Sequence, residues 1–395
     1  MSLYNHARSA LVTGAKVALS LVVAFVALNL LIYGGYALSE ISFRRHLNEV
    51  TEHYQTNITR YYPGMTADEI NELLREAYAH FQYEPFVEFR ERPRASRYVN
   101  ILEPGYRRSS EQSEWPPRRG RPVIFVFGGS TTQGTGVADD DTVVSRLSAI
   151  VRLTPKYADA QIYNFGRAYY FSTQEAILFM RLLSDGTVPD VAIFIDGLNE
   201  FYYQTNTHVF AREMKALFER EVGKQSWNIM RVLLADAREA ILYLPIGRLA
   251  HDIKSYFAGL GFNAATSRLM PHNKQGTENS IRTYLANRRM IMGMARAFNV
   301  KTLFVWQPVA SHAYPPALHA EMEVHGYGPH SQSYYGYPEM KAAIESMDER
   351  DSFVWCADIF SAATEPLYVD LVHYNRSGAE LLARCIADSL AAGPR

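Results

Sequence analysis

The chain has 395 residues, with 40 Lys and Arg against 41 Asp and Glu, so its charge nearly cancels and no basic excess marks a nucleic-acid surface. That length allows one large domain with insertions, or two ordinary ones, around a sizeable core. The two cysteines, Cys356 and Cys385, exclude a disulfide framework and lack metal or redox spacing, so they read as packing thiols, or as one bridge if the domain is exported.

The first predicted element is a membrane segment. Val17 to Leu38 carries no charge and one strongly polar residue, Asn29. As a helix it spans about 33 Å, enough for the hydrocarbon layer. A cleavable signal peptide would have a shorter apolar stretch and a small-x-small site, to which only Gly35-Tyr36-Ala37 comes near. Residues 1–38 therefore read as a retained single-pass anchor, with Tyr33 and Tyr36 in the interfacial belt and Lys16 snorkelling. Arg44 and Arg45 weaken the positive-inside bias, but a short positive N-terminus ahead of a large domain favours a periplasmic or other extracytoplasmic body.

Residues 39–121 read as a stalk and lead-in, helical and polar to about Tyr83, with Thr66-Ala67-Asp68-Glu69 as a helix start. The segments Tyr83-Glu84-Pro85-Phe86 and Tyr98-Val99-Asn100-Ile101 follow. Arg118, Arg119 and Arg121 close a Pro- and Gly-containing link that reads as a solvated loop.

Residues 122–395 read as an α/β body. Val123 to Phe127 is a buried strand ending in Gly128 and Gly129, and it delivers Ser130 to the sheet edge. Taken alone, this is equally an ordinary βα turn whose Ser and Thr cap a helix. Thr142 to Leu153 is a predicted helix, Gln161 to Asn164 a strand ending in Gly166, and Ser172 to Ser184 a helix. Val191 to Ile195 is a third strand, ending in Asp196-Gly197-Leu198-Asn199-Glu200. A helix from Glu278 to Phe298 precedes a strand from Thr302 to Trp306, then come a strand at Phe353 to Cys356 and a last helix at Ser377 to Leu390. This alternation predicts a three-layer fold with a mainly parallel sheet covered on both faces. Ligands in such sheets bind beyond the carboxyl ends of the strands, so Ser130, Gly166, Asn199 and Gln307 should gather at one rim.

Two insertions interrupt the body. The first, about 201–275, is mostly helical, and its amphipathic stretch Ile229 to Leu249 reads as a cap over the site or, more sharply, as an interfacial helix returning to the membrane. The second, Val309 to about Tyr337, is rich in Tyr, His, Pro and Gly and reads as a substrate-lining loop.

Near the C-terminus, Asp370-Leu371-Val372-His373 enters the last helix. An acid three residues ahead of a histidine can orient one ring nitrogen while the other takes a proton from a serine. A helix-capping Asp beside a surface His would look the same.

Four blocks now stand in order: Gly-Gly-Ser-Thr after the first strand, the Gly166 turn, Gly197-x-Asn199 and Asp370-x-x-His373. In this order they resemble the SGNH (GDSL-like) hydrolase superfamily, and the Tyr-x-Pro-Phe and Tyr-Val-Asn-Ile segments resemble the lead-in of membrane-anchored bacterial members. The resemblance implies Ser130 as nucleophile, His373 as general base and then acid, and Asp370 as the residue that orients it. It also implies an oxyanion hole from the backbone N–H groups of Ser130 and Gly166 and the Asn199 amide. Two positions depart from the family pattern, Gly129 where Asp is usual and Glu200 where Asp is usual. Neither performs the implied proton transfers.

The implied activity is a serine esterase or acyltransferase working through an acyl-enzyme on an acyl ester, such as an O-acetyl group of a glycan or envelope component. No cofactor or metal is implied, and the sequence names no protein partner. The alternative is a non-catalytic, membrane-anchored scaffold or assembly subunit on the same fold. His312, His319, His325 and His330 match no familiar zinc spacing. Asp196 and Glu200 read as strand-end acids rather than a glycosidase pair, and Gln307 and Glu200 as substrate-lining. The glycines around Ser130 lack the lysine of a phosphate-binding loop.

Overall fold

The structure, a computed structural model, describes residues 2–77, 80–204, 215, 244–247, 249, 269–319, 326–347, 350 and 352–392. It divides into two compact units, Met1–Gln55 with Phe210–Thr266, and Thr56–Val209 with Ser267–Arg395.

The first unit contains most of α1 (Ser2–Ile58), in which Arg8–Leu38 is long and apolar enough to cross a membrane by length and composition. Leu19, Leu21, Val22, Leu30 and Leu31 stand exposed along it, as side chains facing lipid would. Asn29 is the exception and is buried. Its amide donates to the Phe25 carbonyl at 2.9 Å, and its Oδ1 accepts the Ile246 N–H at 3.2 Å. Apart from Leu244–Gly247 and Leu249, the Ile229 to Leu249 stretch lies outside the described residues, and the choice between cap and interfacial helix lies there with it.

In the second unit, Thr66 opens α2 (Ala67–Glu76) with a reciprocal cap. Its Oγ1 accepts the Glu69 N–H at 3.3 Å while Glu69 Oε2 accepts the Thr66 N–H at 3.0 Å. The hairpin of β1 (Phe81–Glu84) and β2 (Glu88–Glu91) follows, then a short antiparallel pair, β3 (Ile101–Leu102) and β4 (Tyr106–Arg107). The α/β alternation starts with β5 (Val123–Gly128), α3 (Ser130–Gln133) and α4 (Val143–Val151). Next come β6 (Gln161–Asn164), α5 (Ser172–Ser184), β7 (Val191–Asp196) and α6 (Leu198–Tyr202). After the first insertion lie α7 (Lys274–Ala297), β8 (Lys301–Trp306), α8 (Ser331–Glu345), β9 (Phe353–Trp355) and α9 (Arg376–Ala392).

The main sheet has the order β3-β4-β6-β5-β7-β8-β9 among the described residues. From β6 to β9 every pairing is parallel, and β3 and β4 add an antiparallel edge. Alternation along β5 sorts the core. Ile124 and Val126 join Val144, Leu147, Leu382 and Ile386 of α4 and α9 on one face. Phe127 stacks on Phe194 at 4.9 Å on the other, and Phe194 stacks on Phe304 at 5.3 Å. β5 is the first of the parallel strands, with the second beside it on one flank and the third on the other. The connections leave in opposite directions there, opening a crevice at the carboxyl end of β5. The three-layer α/β architecture expected from the alternation is the one observed.

Two expectations change. The second insertion does not run as a loop to Tyr337, because α8 begins at Ser331. Gly336 and Pro338 disguise it, and tertiary packing of Tyr337 and Met340 offsets their poor propensity. Cys356 and Cys385 are bonded to each other, with Cα atoms 6.2 Å apart, and join the end of β9 to α9.

Candidate active site

Ser130 is placed by steric economy. A Cβ on Gly128 would lie 2.1 Å from Thr132 Oγ1 and 2.8 Å from the Ile195 carbonyl, so only glycine lets β5 turn this sharply into α3. A Cβ on Gly129 would lie 2.6 Å from Asn199 Nδ2 and 3.0 Å from the Tyr170 carbonyl. This accounts for glycine at a position where the GDSL pattern has Asp. Gly134, with φ +88°, then ends α3 after one turn.

The end of α3 is held by a residue that sequence reasoning did not single out. Arg107 on β4 is 1% exposed and donates to the Gln133, Gly134 and Val137 carbonyls. Its Nε meets Asp139 at 3.1 Å. A cation on the carbonyls that close a helix is favoured electrostatically and fixes the serine's turn. The lead-in segment thus supports the site directly. Glu84 on β1 does the same for the Gly166 turn, accepting from Arg167 at 2.7 Å and from Arg181 at 2.6 Å.

His373 reaches Ser130 from 243 residues away, its Nε2 lying 2.8 Å from Ser130 Oγ. Its Nδ1 lies 2.6 Å from Asp370 Oδ2. The carboxylate puts the ring proton on Nδ1, so Nε2 accepts from the serine hydroxyl. Asp370 Oδ1 also accepts the N–H groups of Val372 at 2.9 Å and His373 at 2.8 Å. Burial pushes the Asp370 pKa up, but the His373 charge and these hydrogen bonds outweigh it and bring it down to about 2. The capping of α9 falls instead to Asn375, whose Oδ1 accepts the Gly378 N–H at 3.0 Å. Asp370 is thereby free to serve the histidine.

The three groups expected to form an oxyanion hole are placed unequally. Ser130 opens α3, so its N–H has no acceptor within the helix. Asn199 Nδ2 donates to the Tyr170 carbonyl at 2.7 Å, which uses one amide hydrogen and leaves the second. The Gly166 N–H is donated to Asn164 Oδ1 at 3.0 Å, so it would have to exchange that partner to reach a substrate oxygen. Gly166 is nonetheless constrained to be glycine, since its Cβ would lie 2.4 Å from the Gln133 nitrogen.

Gln307 and Glu200 do not line an open pocket with their polar ends. Gln307 is 2% exposed, and its Oε1 accepts from Thr131 at 2.6 Å and Tyr374 at 2.9 Å, pinning the neighbours of Ser130 and His373 together. Glu200 accepts the Gly197 N–H at 2.7 Å and the Ser172 N–H at 3.0 Å. It borders a cavity of about 210 Å³ with Phe171, Tyr203 and Tyr284, away from the serine. Both were expected at the strand ends and are there, but their acceptors are spent on the protein.

Behind β7, Glu200 belongs to a cluster with Glu175 and Asp196, all buried. Burial raises all three pKa values, with mutual repulsion adding to it for Glu175 and Asp196. The histidines of the second insertion diverge. His312 meets Asp358 at 2.9 Å, His319 meets the Leu371 carbonyl at 3.2 Å, and His325 lies outside the described residues. Among the described residues no three His, Cys, Asp or Glu side chains converge as metal ligands would. His330 packs its ring 4.8 Å from that of Tyr202.

No family model matches the sequence, and no curated protein is similar to it. Solved structures with a similar chain path include a member of the lipolytic protein G-D-S-L family from Veillonella parvula, at 10% identity and TM-score 0.37, covering 67% of this chain and 96% of that one. A second is an acetyl xylan esterase at 13% identity and TM-score 0.35, covering 68% and 98%. A third, the psychrotrophic esterase EstA from Pseudoalteromonas sp., has 12% identity and TM-score 0.35, covering 68% and 97%. At this level of similarity, what those proteins act on does not transfer to this chain.

Proposed function

We propose that this chain is a membrane-anchored serine esterase or acyltransferase of SGNH type that passes an acyl group through Ser130. One observation carries the reading: Ser130, His373 and Asp370 form an unbroken relay of 2.8 Å and 2.6 Å contacts at the carboxyl end of β5. A rim loop assembled only for packing has no need to aim an imidazole at a serine hydroxyl.

In the proposed reaction Ser130 Oγ attacks the ester carbonyl carbon as its proton passes to His373 Nε2. Asp370 holds the resulting imidazolium in place. The oxyanion is met by the Ser130 N–H and the remaining Asn199 amide hydrogen. His373 then protonates the departing alcohol oxygen, leaving an acyl-serine. Water or an acceptor hydroxyl gives its proton to His373 and attacks that acyl carbon, and Ser130 leaves with the proton returned. The α1 span supports an anchor, and the Cys356–Cys385 bond suits an oxidising, extracytoplasmic compartment. An O-acetylated glycan or other envelope ester is the substrate class proposed for it.

The decisive measurement is hydrolysis of an aryl acetate by the full-length chain and by Ser130→Ala. We expect the variant to lose at least about a thousandfold in kcat with an unchanged circular dichroism spectrum. Fluorophosphonate should label the wild type at Ser130. A wild type that takes no label would instead favour the scaffold reading.

A further inference from the structure

The end of the sheet opposite Ser130 carries a feature that the proposed reaction does not use. β5, β7, β8 and β9 begin there with Val123, Val191, Lys301 and Phe353, and two adjoining clefts of about 780 and 1020 Å³ open along these first residues. The first cleft is lined by Arg118, Arg119, Arg121, Lys156 and Lys301 and by a single acid, Asp190, whose Oδ2 already accepts the Val123 N–H at 2.7 Å. The second shares Lys156 and Lys301 and adds exposed Arg296 and Arg350 against one acid, Asp388. In a chain whose charges nearly cancel, one end of the sheet is thus strongly positive.

Read from sequence, Arg118, Arg119 and Arg121 form a solvated loop; the fold sets that loop beside lysines from two other connections. Arg118 pairs with Glu114 at 2.5 Å and Arg121 lies 3.9 Å from Asp159, but all four side chains are at least half exposed, and such pairs hold a cation only loosely. A cation near the carboxyl end of a helix complements the helix dipole, which accounts for Arg296 in the last turn of α7. It does not account for the three arginines of the link, which follow no helix, nor for the apolar side chains on the neighbouring connections. Leu153, just after α4, is 84% exposed, and Val188 before β7 and Phe298 before β8 are exposed as well. One exposed apolar side chain is ordinary. Three of them interleaved with cations on one face suit a wet anionic surface with an apolar layer beneath it, as the headgroup region of a bilayer is.

The chain also brings a bilayer within reach. The apolar span ends at Leu38 and the second unit begins at Thr56, so the tether between them reaches no more than about 60 Å even when fully extended. We propose that the amino-end face of the sheet is a docking surface for the anionic bilayer that α1 spans, with its Arg and Lys side chains on lipid phosphates and Leu153, Val188 and Phe298 among the headgroups. Ser130 lies past the other end of β5, about 20 Å away, so docking turns the catalytic rim toward the aqueous side. The docking stands or falls independently of the serine esterase reading.

The test uses the full-length chain reconstituted into vesicles of phosphatidylcholine alone or with about 30 mol% phosphatidylglycerol, each carrying a headgroup spin label. The chain has no free cysteine among its described residues, so Leu153→Cys provides a single site for a fluorophore at an exposed position. Quenching at that site should be at least about threefold stronger in the anionic vesicles, since each cation near such a surface strengthens association roughly fivefold. About 0.5 M NaCl, which shortens the screening length to roughly 4 Å, should abolish the difference. Arg119→Glu/Lys156→Glu/Lys301→Glu in the same labelled chain alters exposed side chains only; it should melt with the parent and quench as in neutral vesicles. A fluorophore at Tyr202→Cys, on the opposite rim, should show no lipid-dependent quenching. Equal quenching of the Leu153→Cys probe in the two vesicle types overturns the proposal, as does a difference that survives salt or charge reversal, or equal quenching at both rims. So does release of the anionic-vesicle signal by micromolar inorganic polyphosphate accompanied by saturable binding of it in neutral vesicles, which would assign the face to a soluble polyanion.

Discussion

Asp370 and the cluster of Glu175, Asp196 and Glu200 present the same functional group with its pKa displaced in opposite directions. Asp370 keeps 41% of its side chain exposed and collects the His373 ring and two backbone N–H groups, so it is held ionised. Glu175 and Asp196 are buried, and burial, with the repulsion of neighbouring carboxylates, raises their pKa values instead. The difference lies in the donors, not in the chain segment. A charged carboxylate is useful where it must balance a transient imidazolium. Behind β7, Glu200 serves the backbone instead, accepting the Gly197 and Ser172 N–H groups and so holding the turns next to Asn199 and Tyr170.

Removing the charge on the ionised side should have the larger effect. Asp370→Asn keeps the shape but turns an amide toward His373, favouring the wrong ring tautomer. We expect kcat on an aryl acetate to fall about 10³–10⁴-fold with KM within a few-fold. A loss under tenfold would mean that His373 needs no carboxylate, and the two groups would then differ in environment but not in use.

In the buried cluster, Glu200 should matter through geometry. Its two oxygens each receive a backbone N–H, and Glu200→Gln offers only one acceptor, so either the Gly197 or the Ser172 turn must let go. Asn199 then loses its fixed approach. A drop in kcat of roughly 10- to 100-fold is expected, smaller than the 10²–10³ cost of deleting an oxyanion donor outright. Fluorophosphonate labelling of Ser130 should slow in parallel, which a loss confined to substrate binding would not produce.

How far each group could be read from the sequence follows the distance over which its contacts form. The relay was legible because each part is a local motif: a strand broken by Gly128 and Gly129, and an acid three residues before His373. Those fix backbone direction, and the parallel sheet then brings them to one rim. The turns at Gly166 and Asn199 were legible as turns. The acceptor of the Gly166 N–H was not, since it depends on the rotamer of Asn164. Gln307 was rightly placed at the end of β8, but nothing local tells whether a side chain there faces solvent or, as it does, Thr131 and Tyr374. Arg107 was not identified at all, and Glu84 was read only as part of the Tyr83-Glu84-Pro85-Phe86 segment. Each acts on a segment at least 26 residues from its own, and an isolated Arg or Glu carries no period or spacing to mark it. The pairing of Cys356 with Cys385 likewise became decidable only once β9 and α9 lay side by side.

The smallest effect, and the one that sharpens the comparison most, belongs to Glu175. Both of its oxygens are buried, and burial raises its pKa well above the ordinary 4.5. In the unfolded chain Glu175 gives up its proton near that ordinary value, whereas the folded chain retains it to higher pH. Between the two values the folded state binds more protons, so stability declines as pH rises through that window. Glu175→Gln supplies a permanent donor and removes this contribution. Thermal unfolding of the variant and the wild type should therefore agree near pH 4 and separate toward pH 9. There the variant should melt roughly 2–4 °C higher, with aryl acetate turnover changed less than about threefold. If the two melting curves stay parallel from pH 4 to pH 9, Glu175 is ionised in the folded chain and the cluster behind β7 differs from Asp370 only in exposure.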